Sequence, residues 1–537
     1  MGDENEGNLW HLLQDHMRLP VFFVAFWLLC EFSLAVYRFT LHPLARFSGP
    51  FWANAFSLNL FKLYHDVFRD GQMVFRLQEL CDHYGPVVRL GPNELYLHDP
   101  QIHAEIFKMG TKFKKADSFY GVFQLQHSLV ATTDVDAHRR HRATLEKHFT
   151  QQAVDMKEFI VTRQVELLCQ HLRYAADRDD SIFLCELFRA CCTDVASEFV
   201  QGEPFGALTS PERHIAMMNI LDMKPDLFRI ARNFQLFATF WKYVPRNILA
   251  ALLPIGGFAI GRFLRIHKYF ETDIQRLLDR KNSGGDADTT PGSVYLSAPC
   301  GREQVISETP LGSLYAGMRS LDSLSAASIL RDEVMTFSLA GAEAPGFALE
   351  TAFFYLSKQP DTLCRLRHDI QHLKTLAKGA ITYRALKTLP FLTAVIKETL
   401  RFSHGACILF RSAPAGGIQV GQVFVPERAT VAMSHYTIHM DERIWERPRT
   451  FAPERWLGSM DKVQQMNKFL VAFSAGPAKC IGIEVAYMEL YHIISVIVTE
   501  FDILPGDEIL STDTLRWNDH WLPKAKTKFQ CRVRRLS

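Results

Sequence analysis

The stretch Phe473-Ser474-Ala475-Gly476-Pro477-Ala478-Lys479-Cys480-Ile481-Gly482 sets a cysteine on a glycine-containing loop directly ahead of an apolar helical run, Ile481 to Thr499. At a helix N-terminus the unsatisfied backbone N–H groups and the helix dipole favour thiolate over thiol. Thiolate is the form that ligates iron and pushes electron density toward it. Gly476 and Gly482 allow the loop backbone to approach a flat ligand closely, since no Cβ holds it away. Two other readings compete. One is a buried free cysteine packed as a small hydrophobe. The other is a serine nucleophile elbow over Ala472-Phe473-Ser474-Ala475-Gly476, which fails on order because an acid and a histidine should follow it.

Upstream of the loop, charged groups come in a particular order. Glu398 and Arg401 share one face of a helix predicted over Phe391 to Arg401 and can pair. Arg411 follows, then Pro453-Glu454-Arg455-Trp456, then the cysteine loop. The spacing ExxR recurs at Glu186 to Arg189 and at Glu446 to Arg449, where solvated helix faces are expected. Order singles out the copy at Glu398, with Arg455 completing a buried Arg–Glu–Arg network.

The bulk properties permit a large ordered body. The chain has 537 residues, 48% apolar and 22% charged, with a formal net charge of +2, which argues against nucleic acid as its partner. Its 11 cysteines are odd in number and contain no CxxC pair, as expected of thiols in a reducing compartment. No Asn-x-Ser/Thr acceptor occurs. Residues 19–37, Leu19 to Tyr37, are nearly all apolar and approach the length of a membrane-spanning helix, although Pro20 and Glu31 interrupt them. Acidic residues Asp3, Glu4, Glu6 and Asp15 precede this span while Arg38 and Arg46 follow it, so the downstream body is expected in the cytosol and residues 1–18 in the lumen. Residues 38–50 contain His42-Pro43-Leu44 and Phe47-Ser48-Gly49-Pro50, a stiff hinge before a catalytic body over 51–537.

Within that body the periodicity is mostly helical, with a small, discontinuous β component. Val87 to Leu90 and Glu94 to Leu97 read as a hairpin, and Asp99-Pro100 as a helix start. Ala153 to Leu172 is amphipathic throughout, Asn282 to Pro291 reads as a surface loop, and helical pattern runs from about Ser325 past Tyr355. Gly417 to Val425 and Thr430 to Ser434 read as strands.

Together these residues closely resemble the cytochrome P-450 superfamily over almost the whole chain. Tyr37-Arg38-Phe39-Thr40-Leu41-His42-Pro43-Leu44, Tyr84-Gly85-Pro86-Val87-Val88-Arg89 and Thr193-Asp194-Val195-Ala196-Ser197-Glu198 are similar to fungal microsomal members of the trichodiene oxygenase type. The resemblance implies a P-450 fold behind an N-terminal transmembrane helix, single-pass in the endoplasmic reticulum. It implies haem b bound axially by Cys480 within Phe473, Gly476 and Gly482, and a structural triad of Glu398, Arg401 and Arg455. His138 and Arg142, four apart on a helix, match residues that contact haem propionates, as does Arg411. The implied reaction is monooxygenation of a hydrophobic small molecule, a terpenoid or other secondary metabolite, with electrons from an NADPH-dependent flavoprotein reductase.

Two departures stand out. Ala340-Gly341-Ala342-Glu343-Ala344-Pro345 occupies the place where the family reads (A/G)Gx(D/E)T(T/S), so the proton-relaying hydroxyl is missing at Ala344 while Glu343 keeps an acid. Pro345 cannot bond to the Gly341 carbonyl and is expected to open the helix there, letting Gly341 and Glu343 hold a water in the proton path. The alternative that Ala344 favours is a haem-thiolate isomerase or dehydratase that needs no external electrons. The second departure is Ala478, where most relatives carry a cation; haem retention is then expected to lean on His138, Arg142 and Arg411. Gly256 to Gly261 has P-loop spacing, but Arg262 and Phe263 replace the required Lys and Ser/Thr. The basic run His138, Arg139, Arg140, His141, Arg142 and Lys147 suits an acidic reductase surface. Phe119, Tyr120, Phe123, Ala340 and Ala406 to Ile408 are the candidate lining of an apolar substrate pocket.

Overall fold

The computed structural model describes residues 3–123, 125–222, 309–318, 323–377 and 381–536. The Gly256 to Gly261 motif and the Asn282 to Pro291 loop lie outside them. Helix α1 (Asp3–Thr40) carries the apolar window Phe22–Thr40, which among the described residues is the one helix long and apolar enough to cross a membrane. The helix continues through Arg38 and Phe39, so the turn begins at Leu41 rather than at residue 38. Glu31, the charge inside the span, faces Arg38 at 3.8 Å and accepts the Ser57 N–H at 2.9 Å. Arg38 donates to the Ala55 carbonyl at 2.9 Å and the Ser57 hydroxyl at 2.7 Å, while Arg89 donates to the Arg38 carbonyl at 2.8 Å.

The body is mainly helical: α2 (Met73–Tyr84), α3 (Val135–Glu146), α4 (Glu158–Arg178), α5 (Leu184–Gln201), α6 (Ser323–Leu356), α7 (Pro360–Ala377), α8 (Pro390–Ser403) and α9 (Ile483–Glu500), with shorter helices between them. The amphipathic run at 153–172 is split, because the helix Gln151–Asp155 ends before α4 begins. Asp134 caps α3 through the Ala137 N–H, fixing where His138 and Arg142 emerge. α6 runs unbroken through Pro345, contrary to the expected opening. Packing accounts for this: a Cβ on Gly341 would lie 2.4 Å from that of Ala196, and one on Gly346 would lie 2.9 Å from Arg189 Cγ, so α5 lies hard against this face and holds the backbone. The largest apolar cluster gathers side chains from α4, α5, α6, α8 and α9.

The β component is small. Strands β1 (Val87–Gly91), β2 (Glu94–Leu97), β3 (Lys114–Lys115), β4 (Ile408–Ser412) and β5 (Thr430–Ser434) form a sheet in the order β1-β2-β5-β4-β3. The β2–β5 pair is parallel, with Glu94 opposite Thr430; the others are antiparallel. Residues 417–425 form a hairpin, Ile418–Val420 against Val423–Val425, rather than one strand. A second hairpin, Trp517–His520 against Leu522–Ala525, lies near the C-terminus.

Candidate active site

Cys480 ends the loop three residues before the first residue of α9. Its own N–H closes the loop on the Phe473 carbonyl at 2.9 Å. The thiol is solvent-accessible, yet burial raises its pKa above that of a free thiol, with the Gly482 N–H, Arg142 and Lys479 pulling the other way. Gly476 has φ +66°, and a Cβ there would lie 2.1 Å from the Phe107 carbonyl. Its freedom therefore serves packing within the protein. A Cβ on Gly482 would meet nothing within 4 Å.

The charged triad is assembled as the sequence suggested. Glu398 and Arg401 are fully buried, paired at 2.7 Å and 3.0 Å, and Arg455 reaches the same carboxylate at 3.1 Å. Glu398 also accepts the Trp456 indole N–H at 3.0 Å and the Ala452 N–H at 2.9 Å. Arg401 donates to the carbonyls of His439 at 2.8 Å, Pro448 at 2.6 Å and Thr450 at 3.2 Å. His439 then carries the connection onward: its Nε2 accepts the Val471 N–H at 3.0 Å, just ahead of the cysteine loop. Burial holds its pKa well below the usual histidine range, so the ring is neutral and free to accept. Sequence reading missed His439, since no spacing links it to Val471.

A group of cations converges beside the loop. Arg142 donates to the Lys479 carbonyl at 2.7 Å, and Arg411 donates to the Tyr120 hydroxyl at 3.0 Å while lying 4.5 Å over the Phe107 ring. Burial and the charges of Lys115 and Arg142 push His138 down to about 3. Burial and Arg411 push Lys115 down to about 7, with Glu333 opposing. Cations that repel one another in this way suit a ligand bearing carboxylates. Lys115, on β3, is a member that no motif or spacing singles out.

Glu343 lies on the α5 side of α6. Its Oε2 is 3.6 Å from Arg189 Nη2, and its Oε1 is buried without a hydrogen-bond partner among the described residues. Arg189 also reaches Asp222 at 3.5 Å. The ExxR copy at Glu186 is thus no solvated face: Arg189 is 3% exposed and turns away from Glu186 toward α6. Ala340 is exposed and Ala344 partly so, one turn apart on an otherwise well-packed helix. Phe119 and Tyr120 depart from the expected pocket lining, because both are buried, Phe119 against Phe410 at 4.4 Å and Tyr120 under Arg411. Cys407 and Ile408 are buried too, leaving Phe123, Ala340 and Ala406 partly open.

An accessible sulfur at a helix start, a cationic nest beside it and two small residues on a long helix fit a flat dianionic macrocycle. The cytochrome P-450 family profile matches residues 49–285 and 307–530. The chain belongs to the cytochrome P-450 family. Among curated relatives it is 28% identical over 532 residues to the monooxygenase macH of Penicillium terrestre, covering 96% of this chain and 99% of that one. It is 27% identical over 483 residues to a tryptophan 6-hydroxylase of Fusarium equiseti, covering 90% of each, and 26% identical over 473 residues to the monooxygenase TRI4 of Fusarium sporotrichioides, covering 88% and 86%. This P-450 is a fungal-type haem-thiolate monooxygenase, an oxidoreductase acting on small hydrophobic metabolites. Membership implies haem b, a reductase and membrane association, and α1 supplies a single-pass anchor.

Proposed function

We propose that Cys480 is the axial iron ligand of haem b, and that Phe473, Gly476 and Gly482 shape the loop carrying it. The observation behind this reading is the exposed Cys480 just ahead of α9, with Arg142 of α3 on the adjoining Lys479 carbonyl and Lys115 of β3 and Arg411 of β4 close to Arg142. In the proposal Arg142, Arg411 and Lys115 neutralise the propionates, His138 donates a ring N–H to one of them, and Arg142 also ties the loop through the Lys479 carbonyl, standing in for the cation absent at Ala478. Glu398, Arg401 and Arg455 brace the loop through His439. Bound haem supplies oxygen activation at iron. The test is the reduced carbon monoxide spectrum: the red-shifted band should vanish in Cys480→Ser, and an unaltered chromophore would overturn the assignment.

Glu343 holds the proton in this reading. Its unpaired Oε1 is the carrier, Arg189 keeps the other oxygen placed, and Asp222, partly exposed, connects Arg189 to solvent. Gly341 sits tight against Ala196, so its contribution is close helix approach together with a carbonyl that Pro345 leaves without its usual donor. Ala344 and Ala340 leave room for an apolar substrate, of terpenoid or similar secondary-metabolite type. Electrons come from an NADPH-dependent reductase docking on exposed Arg139, Arg140, Lys147 and Lys479. Residues 1–18 face the lumen of the endoplasmic reticulum and the catalytic body faces the cytosol, following the Arg38 and Arg46 flank.

A further inference from the structure

A cavity of about 470 Å³ opens among the C-terminal half of α6, the end of α8, the start of α2 and the base of the 517–525 hairpin. Six rings line it: Phe75, Tyr355, Phe402, His404, Tyr436 and Trp517. Phe75 packs edge-on against Tyr436 at 5.2 Å and tilted against Trp517 at 4.6 Å. Three cations, Arg449, Arg516 and Lys526, complete the lining, and no carboxylate does. Among the described residues none of the three side chains makes an ion pair or a hydrogen bond. The Tyr436 and Thr514 hydroxyls likewise have no partner there. Cys480, Glu343, Ala344 and the cations beside the loop contribute nothing to this cavity.

Aromatic walls reward a flat apolar body, and unpaired donors with no competing acid reward an anionic end. Water alone would satisfy the donors and leave wet the apolar faces of Phe75 and Tyr436, which are half-buried. We propose that this cavity is a second ligand site, taking an amphipathic aromatic acid whose ring system lies on the half-buried faces of Phe75 and Tyr436 and whose carboxylate or sulfonate meets Arg516 and Lys526. Thr351 and Tyr355 of α6 form part of its wall, so its occupant touches the same helix that carries Glu343.

The test uses the haem-loaded, full-length protein and the fluorescent acid anilinonaphthalenesulfonate, with uncharged N-phenylnaphthylamine as the matched neutral probe. Arg516 and Lys526 are exposed, so Arg516→Glu with Lys526→Glu should fold, as an unchanged carbon monoxide band would verify. The double variant should bind the acid at least about tenfold more weakly, since each charge-assisted contact is worth roughly tenfold, and the neutral probe within about twofold of the parent. An iron-ligating azole should not displace the acid. Equal affinity of parent and double variant for the acid, or full displacement by the azole, would overturn the proposal.

Discussion

Replacing Glu398 by Gln changes one atom and tests how the buried charge network is built. The carboxylate accepts five hydrogen bonds: Arg401 Nη2, Arg455 Nε and Ala452 N–H at Oε1, and Arg401 Nε and Trp456 Nε1 at Oε2. An amide has one oxygen. If it takes the Oε1 place, its NH2 faces two donors; if it takes the Oε2 place, its NH2 faces three. At least two contacts to a charged group are lost, and Arg401 stays fully buried with backbone carbonyls for company. At about 1.5–2.5 kcal/mol each, the loss is about 3–5 kcal/mol, the range found when one partner of a buried pair is removed. Denaturant unfolding followed by tryptophan fluorescence reads the stability change, and the carbon monoxide band reads retention of sulfur-ligated haem. Both should fall together, because Arg401 reaches the cysteine loop through His439. A loss under about 1 kcal/mol with an intact band would refute the reasoning.

Arg142→Ala removes both a propionate partner and the tie to the Lys479 carbonyl, so haem should dissociate severalfold faster on transfer to apomyoglobin; an unchanged rate contradicts the role. Gly476→Ala forces a Cβ toward the Phe107 carbonyl at a positive φ, and should cost about 1–3 kcal/mol with loss of the carbon monoxide band. Glu343→Gln should lower product formed per NADPH and Ala344→Thr should raise it; if neither changes, Glu343 carries no proton. For pH, His65, His98, His103, His148, His404, His435 and His439 are lowered chiefly by burial, while Asp194, Glu350 and Glu489 are raised by it. On acidification below about 6.5 the unfolded histidines take up protons that the folded ones refuse, outweighing the three acids, so unfolding midpoints should drop between about pH 6.5 and 5. A flat profile there would argue against neutral buried rings.

Much of this was legible because it is local or strictly ordered along the chain. The cysteine loop, the Glu398 helix, the Asp134-capped α3 and the hairpin at Val87 to Leu97 all depend on near neighbours. What the sequence hid depends on tertiary approach. Arg189 looks like a solvated helix residue until α6 brings Glu343 within 3.6 Å. Lys115 and His439 gain meaning only from partners hundreds of residues away or across a loop. Pro345 was misread in the other direction: its missing N–H is real, but the close contact of α5 at Gly341 and Gly346 overrides the local preference for a break. Phe119 and Tyr120 show the usual ambiguity of aromatics, whose bulk suits a core as readily as a ligand.

The clasp formed by Glu31, Arg38, Ser57 and Arg89 makes the tail end of α1 continuous with the enzyme it carries. A helix fixed in that way cannot swivel beneath its cargo. Any lean it adopts to match bilayer thickness therefore rotates the whole enzyme, and the exposed rings of Phe51 and Trp52 swing toward or away from the lipid surface with it. Membrane thickness thus becomes a setting for the posture of the catalyst.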